Sequence, residues 1–219
     1  MKLHIFNPEH DIALAANQER FTAPHAGRRL RTDLGFIPAF WASEGDMVLV
    51  DDVEAAIEAR RHLSKFGKDV VFVTYADLKA FAFEDVESFQ VDPWGWDRTI
   101  KEQLLRANSD FQPFMPSDDT LAAIREMSSR RFAAEHLLPL LREAGEEKTI
   151  GEAHYCTTME KVKLTMAQNV KSVLKSPWSS SGRGVRYVET AAPDAHLEGW
   201  AANVVKRQGG IMVEPLYNK

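Results

Sequence analysis

The stretch from Lys171 to Glu189, KSVLKSPWSSSGRGVRYVE, gathers side chains suited to hold a polyphosphate. Gly182 and Gly184 let the backbone approach a ligand closely, and successive N–H groups in such a loop form an anion-binding concavity. Ser179, Ser180 and Ser181 add hydroxyl donors without bulk. Lys175 supplies a mobile point charge before the loop, and Arg183 is a second cation within it. The loop is not of the Walker type, because no Lys-Ser/Thr follows the last glycine and a strand, not a helix, comes next. The plainer reading is a hairpin turn whose glycines only supply positive φ. Both readings stay open on the loop alone.

Further along, GGIMVEPLY supplies a second element. Together, VLKSPWSSSGRGVRYVE and GGIMVEPLY resemble the nucleotide-binding half of an ATP-grasp enzyme. The resemblance implies that Lys175 contacts the ATP phosphates and that Ser179, Ser180, Ser181, Gly182, Arg183 and Gly184 form a flexible lid over them. It implies that Val213, Glu214 and Leu216 form the hinge reading the adenine and ribose. Many members place a second phosphate-binding lysine at the start of an upstream helix. Here that segment is SSRRFAAEHL, so Arg130 is the matching residue and Arg131 the alternate, with a solvated helix N-terminus as the other account. Arginine binds phosphate as a fork, not as a point charge. The family's magnesium ligands lie on strands well beyond the hinge, whereas this chain runs only to Lys219. The resemblance therefore implies a truncated chain, inactive by itself, with magnesium serving only the full-length protein.

Other polar clusters invite chemistry. Asn7, Glu9, His10 and Asp11 sit in NPEHDIALA, after the first apolar strand, where loops of parallel sheets often bind ligand. Helix capping is the alternative, with Asp11 favouring a helix N-terminus. Trp94, Trp96 and Asp97 in PWGWD either pack the two halves together or line a substrate pocket. Trp178 covers a ribose or anchors the loop. His25, Arg28 and Arg29 form either a solvated helix face or an anion clamp.

These residues need a scaffold. Short apolar runs at residues 3–6, 46–50, 69–73 and 87–91 predict strands, and VEAAIEARRHLSKFG places Val53, Ala56, Ile57 and Leu63 on one helical face ending at Gly67. Strand, helix, strand is a βαβ unit, hence a mostly parallel sheet. From Ser117 onward the texture is helical, with Ser117 and Ser128-Ser129 as N-caps and Pro139 kinking or ending the second helix. Further helices are expected at residues 158–168 and 194–207. The expected fold class is α/β: a Rossmann-like, preATP-grasp domain over residues 1–120, then an α+β partial ATP-grasp domain over 121–219.

Composition narrows the rest. Twenty-seven Lys and Arg against 32 Asp and Glu give a net charge of −5, which argues against broad nucleic-acid binding. The single Cys156 forms no intrachain disulfide, and no zinc spacing exists. No apolar run is long enough to span a membrane and no signal peptide is evident, so a cytoplasmic protein is expected. The functional expectation is an ATP-dependent carboxylate–amine ligase working through an acyl phosphate on a small carboxylate. The alternatives are a degenerate nucleotide-binding module and a small α/β interaction domain.

Overall fold

The computed structural model describes residues 1–62, 65, 68–82, 88–146, 151–179, 181–189 and 193–217. Leu63, Gly67 and Glu87, at the ends of expected elements, lie outside them. The chain forms two compact units, Met1–Ala122 and Ala123–Lys219.

In the first unit, β1 (Lys2–Ile5), β2 (Met47–Leu49), β3 (Val71–Val73) and β4 (Gln90–Pro93) make a parallel sheet of order β3-β2-β1-β4. MVL and VFV are unbroken apolar runs, as strands covered on both faces require. One face buries Leu3, Ile5, Met47 and Leu49 against Leu78, Leu104 and Phe111. The other buries Val48 and Phe72 with Phe36, Ala39 and Ala56. Helices α1 (His10–Ala16) and α2 (His25–Leu34) connect β1 to β2, α3 (Val53–His62) connects β2 to β3, and α4 (Tyr75–Lys79) connects β3 to β4. After β4 come α5 (Arg98–Ala107) and α6 (Asp118–Met127). The β4 strand starts later than expected, because its pairing with β1 aligns Lys2 with Gln90 and Ile5 with Pro93. Proline lacks an N–H and suits the strand's end.

His4 is buried in the middle of this sheet. Its Nε2 lies 3.1 Å from Oδ2 of the buried Asp46. Its Nδ1 lies 3.1 Å from Asp92 Oδ2 without an aligned hydrogen bond. Asp46 also accepts the backbone N–H groups of Lys2 (2.8 Å) and Ser43 (2.9 Å). Burial pushes the Asp46 carboxyl up, but those two N–H groups and His4 outweigh it and hold it below its ordinary value.

The second unit takes in the end of α6 and then a short helical stretch: α7 (Arg130–Phe132), a π-helical turn at Ala133–Leu137, and α8 (Leu138–Glu143). The helix thus continues past Pro139, and the widened turn before it accommodates the missing N–H. Then follow β5 (His154–Cys156), α9 (Met159–Ala167), β6 (Ser172–Lys175), β7 (Val185–Val188), α10 (Ala195–Gln208) and β8 (Ile211–Pro215). The strands form an antiparallel sheet of order β5-β8-β6-β7. Cys156, Leu174, Val188, Ile211 and Val213 face Val162, Met166, Ala201 and Val204 of α9 and α10. Thr158 and Asp194 cap these helices by accepting the N–H of Lys161 and Leu197. A parallel sheet with helices followed by an antiparallel one is the α/β organisation expected from the sequence.

Candidate functional site

In the second unit, β6 ends at Lys175 and returns as β7 at Val185, so the serine and glycine segment is a hairpin loop. Its root is tightly held. Ser176 N–H donates to the Gly184 carbonyl (2.7 Å), and Arg130 N–H donates to the Pro177 carbonyl (3.0 Å). The indole of Trp178 is buried under the Arg125 guanidinium, 3.9 Å from the ring centre, and its Nε1 donates to the Arg125 carbonyl. Gln208, at the end of α10, exchanges hydrogen bonds with the Trp178 backbone. Trp178 thus anchors the loop.

Arg130 serves the same end. Its Nη1 donates to the Ser176 carbonyl (2.5 Å) and Ser179 Oγ (2.9 Å), and its Nη2 donates to the Ser179 carbonyl (3.1 Å). Ser129 caps the start of α7. Arg131 instead pairs with Glu135 at 2.7 Å, and its guanidinium lies 5.0 Å from the Tyr155 ring centre.

The tip differs from the root. Ser181 and Gly182 take positive φ of 52° and 71°, and residues 181–183 are exposed. A Cβ at Gly182 would meet nothing within 4 Å, whereas one at Gly184 would fall 2.4 Å from Ser179 Oγ. The N–H groups of Gly182, Arg183 and Gly184 donate to no partner among the described residues. Ser180 lies outside those residues.

The register of β6 with β8 aligns Lys175 with Met212 and Val173 with Glu214, so these four side chains share the face opposite the α9 and α10 core. There Lys175 Nζ donates to Glu214 Oε2, with both side chains largely buried. Val213 points into the core, fully buried. The Leu216 N–H already donates to the Lys171 carbonyl (3.0 Å).

In the first unit the loops after β1 and β4 close on each other. Asn7 Nδ2 donates to the Gly95 carbonyl (2.8 Å), and Gly95 N–H donates back to Asn7 Oδ1 (3.2 Å). Asp97 caps α5 through Ile100 N–H (2.9 Å), and its other oxygen meets His10 Nδ1 (3.0 Å). The His10 ring lies over Gly95, where a Cβ would fall 2.3 Å from it. Asp11 stands in the first turn of α1. Trp94 is 63% exposed against Phe6 and Trp41, while Trp96 packs on the core.

Glu9 faces the other way. Its Oε1 accepts from Arg31 Nη1 (3.0 Å), and Arg31 Nη2 donates to the Tyr75 hydroxyl (2.9 Å). That hydroxyl donates to Gln103 Oε1 (2.9 Å). Burial alone would lower Arg31, but Tyr75 and Glu9 outweigh it and hold the guanidinium above its ordinary value. Burial likewise pushes the Tyr75 hydroxyl up, against the pull of Arg31. These groups line a cavity of about 690 Å³ that also takes in His25, Arg28 and Asp51. Glu9, Asp51, Tyr75 and Thr99 all follow strand ends, so the cavity lies at the carboxyl end of the sheet. The strand order also reverses there, since β2 and β3 extend to one side of β1 and β4 to the other. Such switch points are where open α/β sheets bind ligands. Sequence reading singled out Glu9, His25, Arg28 and Arg29 but missed Arg31, Asp51, Tyr75 and Gln103, which stand in ordinary helical or strand-end contexts.

Among the described residues no group of three or more His, Cys, Asp or Glu could hold a metal ion. No described helix is long and apolar enough to cross a membrane.

No family profile matches the chain, and no curated protein matches it. Among solved structures, the chain is similar to a RimK-domain ATP-grasp protein from Sphaerobacter thermophilus, at 21% identity and a TM-score of 0.39. The match covers 80% of this chain and 64% of the other, so the chain spans less than two thirds of that protein's length.

Proposed function

We propose that the second unit binds ATP and serves an ATP-grasp-type ligase that activates a small carboxylate as an acyl phosphate. One observation carries the reading: the antiparallel sheet sets Lys175, a hairpin loop with open N–H groups, and Glu214 on adjacent strands. The N–H groups of Gly182 and Arg183 at the exposed tip suit phosphate oxygens, and Gly182 leaves room for their close approach. Lys175 is half of an ion pair in this state, so phosphate competes with Glu214 for its ammonium. Released, the Glu214 carboxylate is free to accept from the adenine amino group or a ribose hydroxyl. Arg130, Trp178 and Gln208 hold the loop's root so that only its tip moves. The protein's part in this reading is to position phosphates and neutralise their charge.

Calorimetric titration with ATP, ADP and adenosine tests the reading. Lys175→Ala should weaken ATP binding by about 1.5–3 kcal/mol, the range for charge-assisted contacts, and change adenosine binding far less. Absence of ATP binding to the unmodified chain, or equal affinities for ATP in both proteins, refutes it.

A further inference from the structure

In the first sheet the register sets Phe72, Val48, His4 and Asp92 in one row across the four strands, on one face. The first three are buried, whereas the Asp92 side chain, on the edge strand β4, is 50% exposed. Trp94 lies two residues further on and projects to the same side. Its N–H donates to the Ile5 carbonyl (2.7 Å), which extends the pairing of β4 with β1. Trp41 leaves the 3-10 turn Ile37–Phe40, where its N–H donates to the Pro38 carbonyl (3.1 Å). The two indoles have ring centres 6.2 Å apart and planes inclined at 52°. Phe6 packs edge-on against Trp94 at 5.9 Å and fixes that ring from behind. Ile5, Trp41, Asp92, Pro93 and Trp94 line a cavity of about 210 Å³, which shares no residue with the cavity around Glu9 and Arg31.

A single exposed aromatic side chain is ordinary, but two adjoining tryptophans, 51% and 63% exposed and walling one cavity, mark a binding surface. The charge beside them is an independent observation. Asp46 and Asp92 share the one imidazole of His4, each at 3.1 Å from a different ring nitrogen. Even a protonated His4 therefore leaves one of the two negative charges uncompensated, and Asp92 is the exposed end of the group. No lysine or arginine lines the cavity. Indole faces are themselves negative, so both walls and the carboxylate favour a cation.

The geometry points to a site for a small quaternary ammonium of the choline type, held against Trp41 and Trp94 with its charge toward Asp92. Rings inclined at 52° form no parallel sandwich for a flat base, but they suit a rounded trimethylammonium group. A primary ammonium would give up its water for lining side chains that offer only the Asp92 carboxylate as acceptor. A methylated nitrogen has no N–H to satisfy. A phosphate or carboxylate close to the nitrogen would meet Asp92 without a compensating cation, which favours free choline over betaine and over a lipid headgroup. The volume is below the roughly 300–1,000 Å³ of drug-sized sites and suits one such group. This site lies apart from the ATP reading and does not depend on it.

The test runs without nucleotide, so that its failure is separable from failure of the ATP site. The unmodified chain is titrated with choline, tetramethylammonium, betaine and the uncharged carbon isostere of choline, up to about 10 mM, which covers weak small-ligand affinities. Tryptophan emission and the N-methyl proton resonance report binding. Choline and tetramethylammonium should bind, with the methyl resonance moved upfield by the indole rings. The uncharged isostere should bind about tenfold or more weakly, and betaine more weakly than choline. Trp41→Leu and Trp94→Leu keep an apolar wall but lose the ring, and each should weaken choline about fivefold. Asp92→Asn should weaken it about threefold. The isostere comparison on the unmodified chain decides the matter even if a variant melts early. The proposal is overturned if choline does not bind, if its uncharged isostere binds equally well, or if both folded tryptophan variants keep the parent's affinity. Co-sedimentation with phosphatidylcholine vesicles in place of choline binding would assign the patch to a membrane surface and overturn it as well.

Discussion

Replacing Arg130 by lysine separates two roles for a cation beside a phosphate-binding loop. In the structure Arg130 makes three hydrogen bonds, two to the carbonyls of Ser176 and Ser179 and one to Ser179 Oγ. A hydrogen bond involving a charged group contributes about 1.5–3 kcal/mol net. The three share one guanidinium and are not additive, so Arg130→Gln should destabilise the second unit by about 2–4 kcal/mol. Lysine keeps the charge but cannot fork, and it can restore one of the three bonds at most. Arg130→Lys should therefore recover less than half of that loss. Urea unfolding gives the stability, and hydrogen exchange over residues 176–184 gives the local effect, both in nucleotide-free protein. Faster exchange at the root of the loop is expected in both variants. If Arg130→Lys matches the parent in stability and exchange and loses only ATP affinity, the clamp is refuted and Arg130 is a phosphate ligand.

Two further outcomes follow from local geometry. Asp46 has its pKa lowered in the folded state, so its contribution is present above the unfolded value of about 3.9 and is lost as pH falls through the folded value. The stability gap between the parent and Asp46→Asn in urea unfolding should therefore shrink as pH falls from 5 toward 3; a constant gap would contradict this. The glycines of the second unit should respond oppositely to alanine: Gly210→Ala meets the Tyr155 ring at 2.3 Å and should cost about 1–3 kcal/mol by overpacking, while Gly199→Ala, on an open face of α10, should stabilise by about 0.5–1 kcal/mol. Equal effects in thermal or urea unfolding would discount the contact.

The sequence announced what is local. Val71–Val73 and Met47–Leu49 are unbroken β-branched and apolar runs, Ser117 and Ser129 each cap a helix where a cap was expected, and Thr158 and Asp194 cap helices that were expected to begin near them. It also set the lysine loop and the VEP strand side by side as a motif. What it could not show depends on topology. Lys175 and Glu214 are 39 residues apart, and only the placement of β8 beside β6 brings them together. The strand β5 was missed because His154–Cys156 has no periodicity of its own; it exists because β8 pairs with it. The Glu9–Arg31–Tyr75 group joins three segments whose shared neighbourhood is set by the strand order of the first sheet.

The strand order of the second sheet bears on how a growing chain acquires its structure. β8 is made after β5, β6 and β7, yet it lies between β5 and β6. During synthesis the β6–β7 hairpin can close by itself, with a short loop and little entropy to overcome. β5 has no partner until β8 emerges from the ribosome, and its three residues offer only a short unpaired edge in the interval. The apolar faces of α9 and α10 wait equally, since Ile211 and Val213 complete the core beneath them. A nascent chain halted before Ile211 would thus hold a hairpin, a loose strand and two uncovered helices. For chaperone engagement and for the choice of truncation points, β8 acts as the keystone that turns these pieces into one sheet.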